Sequence, residues 1–266
     1  MKRNYGILRP AMDMLDPSKY PVIALQEPSV NKVTLGIYCS KDYTLSMEPA
    51  LETKFAFLIS NELSVEHWSH CWHSSMISEI KIQLANLSLR VIKFYSPVTL
   101  KSELIGWNRL IEAVRNDDLS CILLGDFNCH HSLWGDATAP RDFRAQILID
   151  TLTSEGLSLV TPLGIPTFRR NEKKKKHARE TVIDLTFASE DIIDCIYSCK
   201  TREDWCLRQD HIPIEIFLGF RKVPYFEKNR FAHHKANIGK IKEVIHDSKW
   251  TEAIEPLVAF QEEIIE

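Results

Sequence analysis

The sequence predicts an α/β fold. Apolar runs of strand length alternate with segments whose apolar residues recur at helical spacing, and several strand candidates end on a carboxylate, a carboxamide or an imidazole. The clearest such end is Leu123-Leu124-Gly125-Asp126-Phe127-Asn128, where an extended chain sets a carboxylate and a carboxamide on one side, two residues apart. Open α/β sheets gather their chemistry at that carboxyl end of the strands.

Composition sets the bounds. A chain of 266 residues, 44% hydrophobic, can bury a sizeable core and reads as one main domain over residues 1–220 with an appendage over 221–266. The net charge of -3 excludes an overall basic field that would grip nucleic acid indiscriminately, so any such grip must be local. Cys39, Cys71, Cys121, Cys129, Cys195, Cys199 and Cys206 are odd in number and sit mostly in apolar settings, and the N-terminus lacks a charged-then-apolar leader. An intracellular, reducing compartment is expected. No apolar run approaches the roughly 18 residues of a membrane helix, so a soluble protein is expected.

The elements follow in order. Residues 21–26 form a short apolar, partly β-branched run that reads as a buried strand delivering Glu27 to its edge. Residues 54–60, 80–84 and 89–95 read as strands of an antiparallel meander, the last two separated by a turn around Asn86. Leu104, Trp107, Ile111 and Val114 recur at helical spacing, and Asn116-Asp117-Asp118 stops them before the strand 121–124. Helix then strand places Asp126 on a central strand. Phe143, Ile147, Leu148 and Leu152 mark a second helix that Gly156 ends in a left-handed cap, and residues 157–161 return as a strand.

Residues 166–168 and 181–187 read as two strands joined by a charged loop that holds Arg169, Arg170, Lys173, Lys174, Lys175 and Lys176 and projects into solvent. Residues 192–197 and 212–218 complete the strands. The tail over 237–266, with apolar residues spaced as in Ile238, Ile241, Val244 and Ile245, reads as one or two helices.

The chemical groups are Glu27, Asp126, Asn128, Asp184 and the Asp210-His211 pair, each at or near a strand end. Phosphodiester hydrolysis needs a hard divalent cation on one or two carboxylates, a base or orienter for water, and donors for the charge on phosphorus oxygens. This set supplies all three. Mg²⁺ keeps several waters and takes few protein ligands, so Glu27 with Asp210 suffices for a loosely held ion. A neutral imidazole beside a carboxylate holds one tautomer, which makes His211 with Asp184 a dyad.

Gln26-Glu27-Pro28, Tyr95-Ser96-Pro97, Gly125-Asp126-Phe127-Asn128 with His130-His131 and Trp134-Gly135, Ile183-Asp184-Leu185 and Asp210-His211 stand in the order and spacing of the endonuclease/exonuclease/phosphatase superfamily. Leu133-Trp134-Gly135 and the run from Ile183 through Ser189 narrow the resemblance to the apurinic-type endonuclease of non-LTR (LINE-like) retrotransposons. The match spans roughly residues 2–220.

That resemblance implies a four-layer α/β/β/α sandwich, two mixed sheets face to face with helices outside, and a Mg²⁺-dependent nick in DNA that leaves a 3′-hydroxyl for reverse transcription. It implies Glu27 as principal metal ligand with Asp210 as a metal-site carboxylate, and Tyr95 as a phosphate contact. Asp126 and Asn128 resemble the pair that activates water and contacts the transition state, Asp184 the orienter of His211, and Thr167 a threonine bordering the DNA groove. A reverse transcriptase region is expected in the parent polyprotein, and the nucleus as residence on the strength of the substrate alone.

Two departures bear on activity. The family opens with a strand carrying an asparagine, whereas this chain starts at Met1-Lys2-Arg3, so the sequence reads as lacking that first strand. Asn4 is a poor substitute, because it falls where the chain should be entering a helix over residues 7–15. Gln209 stands where a serine usually precedes Asp-His. Weaker stability and metal affinity are expected, as of a fragment or degenerate copy.

Blander readings stand beside these. A lone Gly-Asp-Phe-Asn is usually a turn, Tyr95 a strand-end tyrosine, and the basic run a solvated loop. His67, His70, Cys71 and His73 hint at zinc but fit an exposed turn beside Trp68 and Trp72. His130-His131 point opposite ways on an extended segment and read as surface or groove-lining. The alternatives to a DNA endonuclease are a phosphomonoesterase of the same fold and a catalytically impaired remnant.

Overall fold

The longest apolar runs build the middle of the molecule. In the computed structural model, which describes residues 9–10, 13–84, 87–97, 100–115, 120–135, 142–169, 180–205 and 210–219, strand β6 (Ser88–Tyr95) runs parallel to β7 (Ser120–Asp126). A parallel pair needs a crossover, and helix α1 (Leu100–Arg115) supplies it. Around this pair lies a mixed six-stranded sheet ordered β4 (Trp68–Ser74), β5 (Ile77–Gln83), β6, β7, β11 (Asp184–Ser189) and β8 (Leu157–Leu159). A three-stranded antiparallel sheet holds β1 (Val22–Gln26), β3 (Phe55–Ser60) and β2 (Tyr43–Ser46) in that order. Two hairpin pairs complete the strands: β9 (Phe168–Arg169) with β10 (Glu180–Thr181), and β12 (Ile196–Thr201) with β13 (Ile214–Leu218).

The two-residue period of the strands divides the core. Ile92 and Phe94 of β6, with Leu123 of β7 and Leu185 and Phe187 of β11, pack against Trp107, Leu110 and Ala113 of α1 and against Ala145, Leu148 and Leu152 of helix α2 (Phe143–Ser154). The alternate residues Leu89, Val91, Ile122 and Ala188 face Phe57 and Ile59 of β3 and Val22 and Ala24 of β1, with Ile216 and Leu218 of β13 alongside. Helices thus cover one face of the central sheet and strands the other. On the far side of the three-stranded sheet, Leu58, Ile23 and Leu25 are covered by Ile37, Tyr38 and Cys39.

Local chemistry sets the element ends. The Asp142 side chain caps α2 by accepting the Arg144 N–H, and Gly156, at φ +69°, turns the chain out of it. One buried ion pair locks α1 to the sheet. Arg90 donates to both carboxylate oxygens of Glu79 at 2.8 and 3.1 Å and to the α1 carbonyls of Ala113 and Val114, while His73 meets Glu79 at 2.6 Å. A cation at a helix C-terminus complements the helix dipole.

The structure corrects several expectations. Residues 192–197 are not one strand: helix α3 (Glu190–Ile193) comes first and β12 follows, because Glu190 and Asp191 favour a helical first turn over a strand. Residues 68–74 are strand β4, not an exposed turn. Trp68 packs on the inter-sheet core, and the ring nitrogens of His70 meet Ser46 and Ser78 at 2.8 and 2.6 Å. His70 and Cys71 therefore point to opposite faces, which rules out their sharing a zinc ion. Cys71 is exposed, whereas Cys121 and Cys129 are buried. No helix among the described residues is long and apolar enough to cross a membrane.

Of the helix expected over 7–15, residues 9, 10 and 13 are described and all are helical. Asn4, Arg170, Lys173, Lys174, Lys175, Lys176, Cys206, Gln209 and the tail 220–266 lie outside the described residues, and so do residues 1–8, where the expectation of a missing first strand falls.

Candidate active site

Register brings the sequence-distant acids together. Asp126, the last residue of β7, pairs with Tyr95 at the end of β6 on one side and with Asp184 at the start of β11 on the other. Since Ile122 and Ala188 face the inter-sheet core, the period of two puts Asp126 and Asp184 on that same face. Their carboxylate oxygens and a ring nitrogen of His211 all lie within 4.8 Å of one another.

This approach depends on Gly125. A Cβ there would fall 1.8 Å from the Phe94 carbonyl oxygen, so only glycine lets β7 lie this close to β6. Two of the candidate residues, Glu27 at φ 45° and Asn128 at φ 47°, hold left-handed backbone conformations that non-glycine residues rarely adopt. Such strain gathers where the surrounding structure fixes a functional side chain.

Asp184 accepts from Nδ1 of His211 at 2.9 Å, which fixes the tautomer. A fully buried threonine holds this dyad from behind. The Thr167 hydroxyl accepts the N–H of Ile183 and of Asp184, and its carbonyl accepts the N–H of Ile212 at 2.7 Å. Thr167 is therefore corrected from a groove residue to an internal clamp, since a side chain with 0% exposure cannot touch DNA. Arg169 is placed on the surface with ion pairs to Glu180 and Glu203, and its backbone N–H donates to the Asp210 carbonyl.

Asn128 is pinned: its amide Nδ2 donates to the Ser96 carbonyl at 2.8 Å and its backbone N–H to Asp126 Oδ1 at 3.1 Å. On the facing sheet, Glu27 accepts from Lys54 Nζ at 2.7 Å, and that ammonium sits 5.1 Å from the Tyr95 ring centre. The Glu27 charge also acts on the Tyr95 phenol, as does that of Asp126. The ligand-atom cluster comprises Asp126, Asp184 and His211, and Glu27 and Asp210 stand outside it.

Charge and burial tune these groups. Burial, then the Asp184 charge, pushes the Asp126 carboxyl up to about 7, against the pull of His211, the Asn128 N–H and Lys93. Burial works against the His211 imidazolium, but Asp184 and Asp126 hold its pKa above the ordinary histidine value. Burial raises the Tyr95 phenol to about 12 with help from Glu27 and Asp126, so it stays a proton donor. Burial opposes ionisation of Glu27, yet Lys54 brings its carboxyl below the usual range.

Two carboxylates and an imidazole that converge at the open end of a sheet fit a hard divalent cation with water completing its shell. Sequence reading found these residues but missed Lys54, Ser96 and Lys93. Lys93 carried a signal: a lysine at the alternate position of Leu89, Val91 and Tyr95 interrupts an otherwise inward-facing stripe.

Comparison with known proteins agrees with this architecture. Residues 89–215 match the family described as Endonuclease-reverse transcriptase. The endonuclease domain of TRAS1, a telomere-specific non-LTR retrotransposon, matches with a TM-score of 0.61 at 19% identity over 84% of this chain and 95% of that one. The AP endonuclease LMAP from Leishmania major gives 0.62 at 11% identity, over 82% and 84%. The catalytic domain of Xenopus laevis APE2 gives 0.63 at 14%, over 83% and 91%. No curated protein matches this sequence.

Proposed function

We propose that this chain, which has the endonuclease/exonuclease/phosphatase fold and resembles the endonuclease of non-LTR retrotransposons, is a DNA endonuclease that cuts one strand with the help of Mg²⁺. The convergence of Asp126, Asp184 and His211 within 4.8 Å is the observation that supports it.

In this reading, Asp126 takes a proton from the attacking water. Its raised pKa makes it a stronger base than an ordinary carboxylate while leaving it substantially ionised near neutrality. Water oxygen bonds to phosphorus as the bond from phosphorus to the 3′-oxygen breaks, and the departing 3′-oxygen takes a proton from solvent water, which yields a 3′-hydroxyl and a 5′-phosphate. His211, held by Asp184, donates from Nε2 to a non-bridging oxygen, and Asn128 holds the same group in place. The Tyr95 phenol, kept protonated, serves as a further phosphate contact. Mg²⁺, held by Asp184 with Glu27 and Asp210 from the rim, would supply charge neutralisation for the phosphate oxygens.

Arg169, whose backbone N–H donates to the Asp210 carbonyl, opens the basic run of Arg170, Lys173, Lys174, Lys175 and Lys176 that would grip DNA in this reading. A nuclear role in target-site nicking, beside a reverse transcriptase region, completes the reading.

Supercoiled plasmid with Mg²⁺ tests it. The expected result is nicked circles from the wild type and a loss of at least about 100-fold with Asp126→Ala, the range for removal of a general base. Nicking that is equal in the two proteins would sink the assignment, and release of inorganic phosphate from a small monoester instead would favour the phosphatase alternative.

A further inference from the structure

Strand β6 carries a cation where its pattern calls for a core residue. Leu89 and Val91 pack in the inter-sheet core, so the next residue on that face is Lys93, and it is only 7% exposed. Register sets Lys93 opposite Ser78 on β5 and Leu124 on β7, one step inside the row of Tyr95, Asp126 and Asp184. Among the described residues its ammonium makes no hydrogen bond or ion pair, yet Asp184 and Asp126 are the charges that act on it. A leucine there would extend the core at no electrostatic cost, whereas a lysine this deeply buried gives up most of the hydration of its ammonium. Burial draws its pKa down to about 8 while the two aspartates hold it up, which leaves it charged at neutral pH.

We propose that Lys93 is a resident positive charge of the carboxylate cluster: a positioning residue that neutralises Asp126 and Asp184 from inside and weakens the cluster's hold on a divalent cation. The inference rests on the nuclease reading only in assuming that these carboxylates face a metal.

Mn²⁺ binding measured by electron paramagnetic resonance tests the inference without any turnover. Lys93→Met keeps the length and apolar stem but removes the charge, and should tighten Mn²⁺ binding about tenfold, as expected when a unit charge is removed near a divalent ion. The gain should vanish when Asp184→Asn is added. A folded Lys93→Met protein with unchanged or weaker Mn²⁺ binding overturns the proposal, since a merely structural lysine would loosen the site on removal. Should Lys93→Met fail to fold, the wild-type Lys93 side-chain carbon signal decides. It should shift in step with Mg²⁺ saturation, and a signal that stays fixed while the Asp126 and Asp184 carboxyl signals move overturns the proposal. Loss of the plasmid-nicking result would leave these binding measurements standing.

Discussion

Thr167 holds Asp184 by its backbone: the buried hydroxyl accepts the Asp184 N–H at 2.9 Å and the neighbouring Ile183 N–H at 3.0 Å. The same residue's carbonyl holds Ile212, next to His211. One residue thereby sets both halves of the dyad, the Asp184 half through its side chain and the His211 half through its backbone.

Thr167→Val keeps the shape and removes the acceptor, leaving two backbone donors unsatisfied. A stability loss of about 2 kcal/mol or more is expected. The nicking rate should fall through kcat, with DNA affinity little changed, because Thr167 is buried. Denaturant melts and separate kcat and KM values check this; a selective rise in KM would return Thr167 to the groove.

Asp184→Asn should lower two titrations in the metal-free protein. Asp126 loses a neighbouring negative charge, so its pKa drops from about 7, and His211 loses the partner that raises it. Carboxyl and imidazole signals followed by NMR across pH 3–9 (about the span of these groups) read both shifts. An Asp126 titration unmoved by the substitution would show that the two carboxylates do not interact.

The Glu79 carboxyl makes stability depend on acid. Burial alone would raise it, but His73 and Arg90 bring it down to about 2, below its unfolded value of 4.5. A depressed carboxyl stabilises fully above the unfolded value and loses that contribution as pH falls toward the folded one. Stability should therefore decline between pH 4.5 and about 2. Glu79→Gln should flatten the decline and cost about 3–5 kcal/mol at pH 7, since it strands the buried Arg90. Parallel acid melts of the two proteins would contradict this.

Gly125→Ala places a methyl carbon 1.8 Å from the Phe94 carbonyl, on backbone that cannot step aside. The β6–β7 pairing should fail, and with it the adjacency of Tyr95 and Asp126. Thermal unfolding by circular dichroism is expected to show a large loss or no cooperative transition. A melt like the wild type would mean the strands are not packed this closely.

The strands that carry the chemistry were legible because they are apolar runs ending in polar residues. Residues 22–26, 55–60, 88–95 and 120–126 announce themselves by composition, and Asp126, Asp184 and His211 by their place at the ends. Strand β4 was not legible, since an edge strand that alternates Trp, Ser, His and Cys looks as polar as a turn. Thr167 resembled a groove residue because sequence cannot tell an outward hydroxyl from an inward one.

The sequence by itself determined most of the extended and helical segments, β4 and α3 excepted, and which functional groups sit at their ends, because period and residue type act over a few neighbours. Only the tertiary structure decided that Tyr95, Asp126 and Asp184 share a row, that Lys93 backs them and that Thr167 clamps them. Strand register and facing direction depend on contacts between residues tens of positions apart, and a shift of a single residue would send every one of those side chains to the other face.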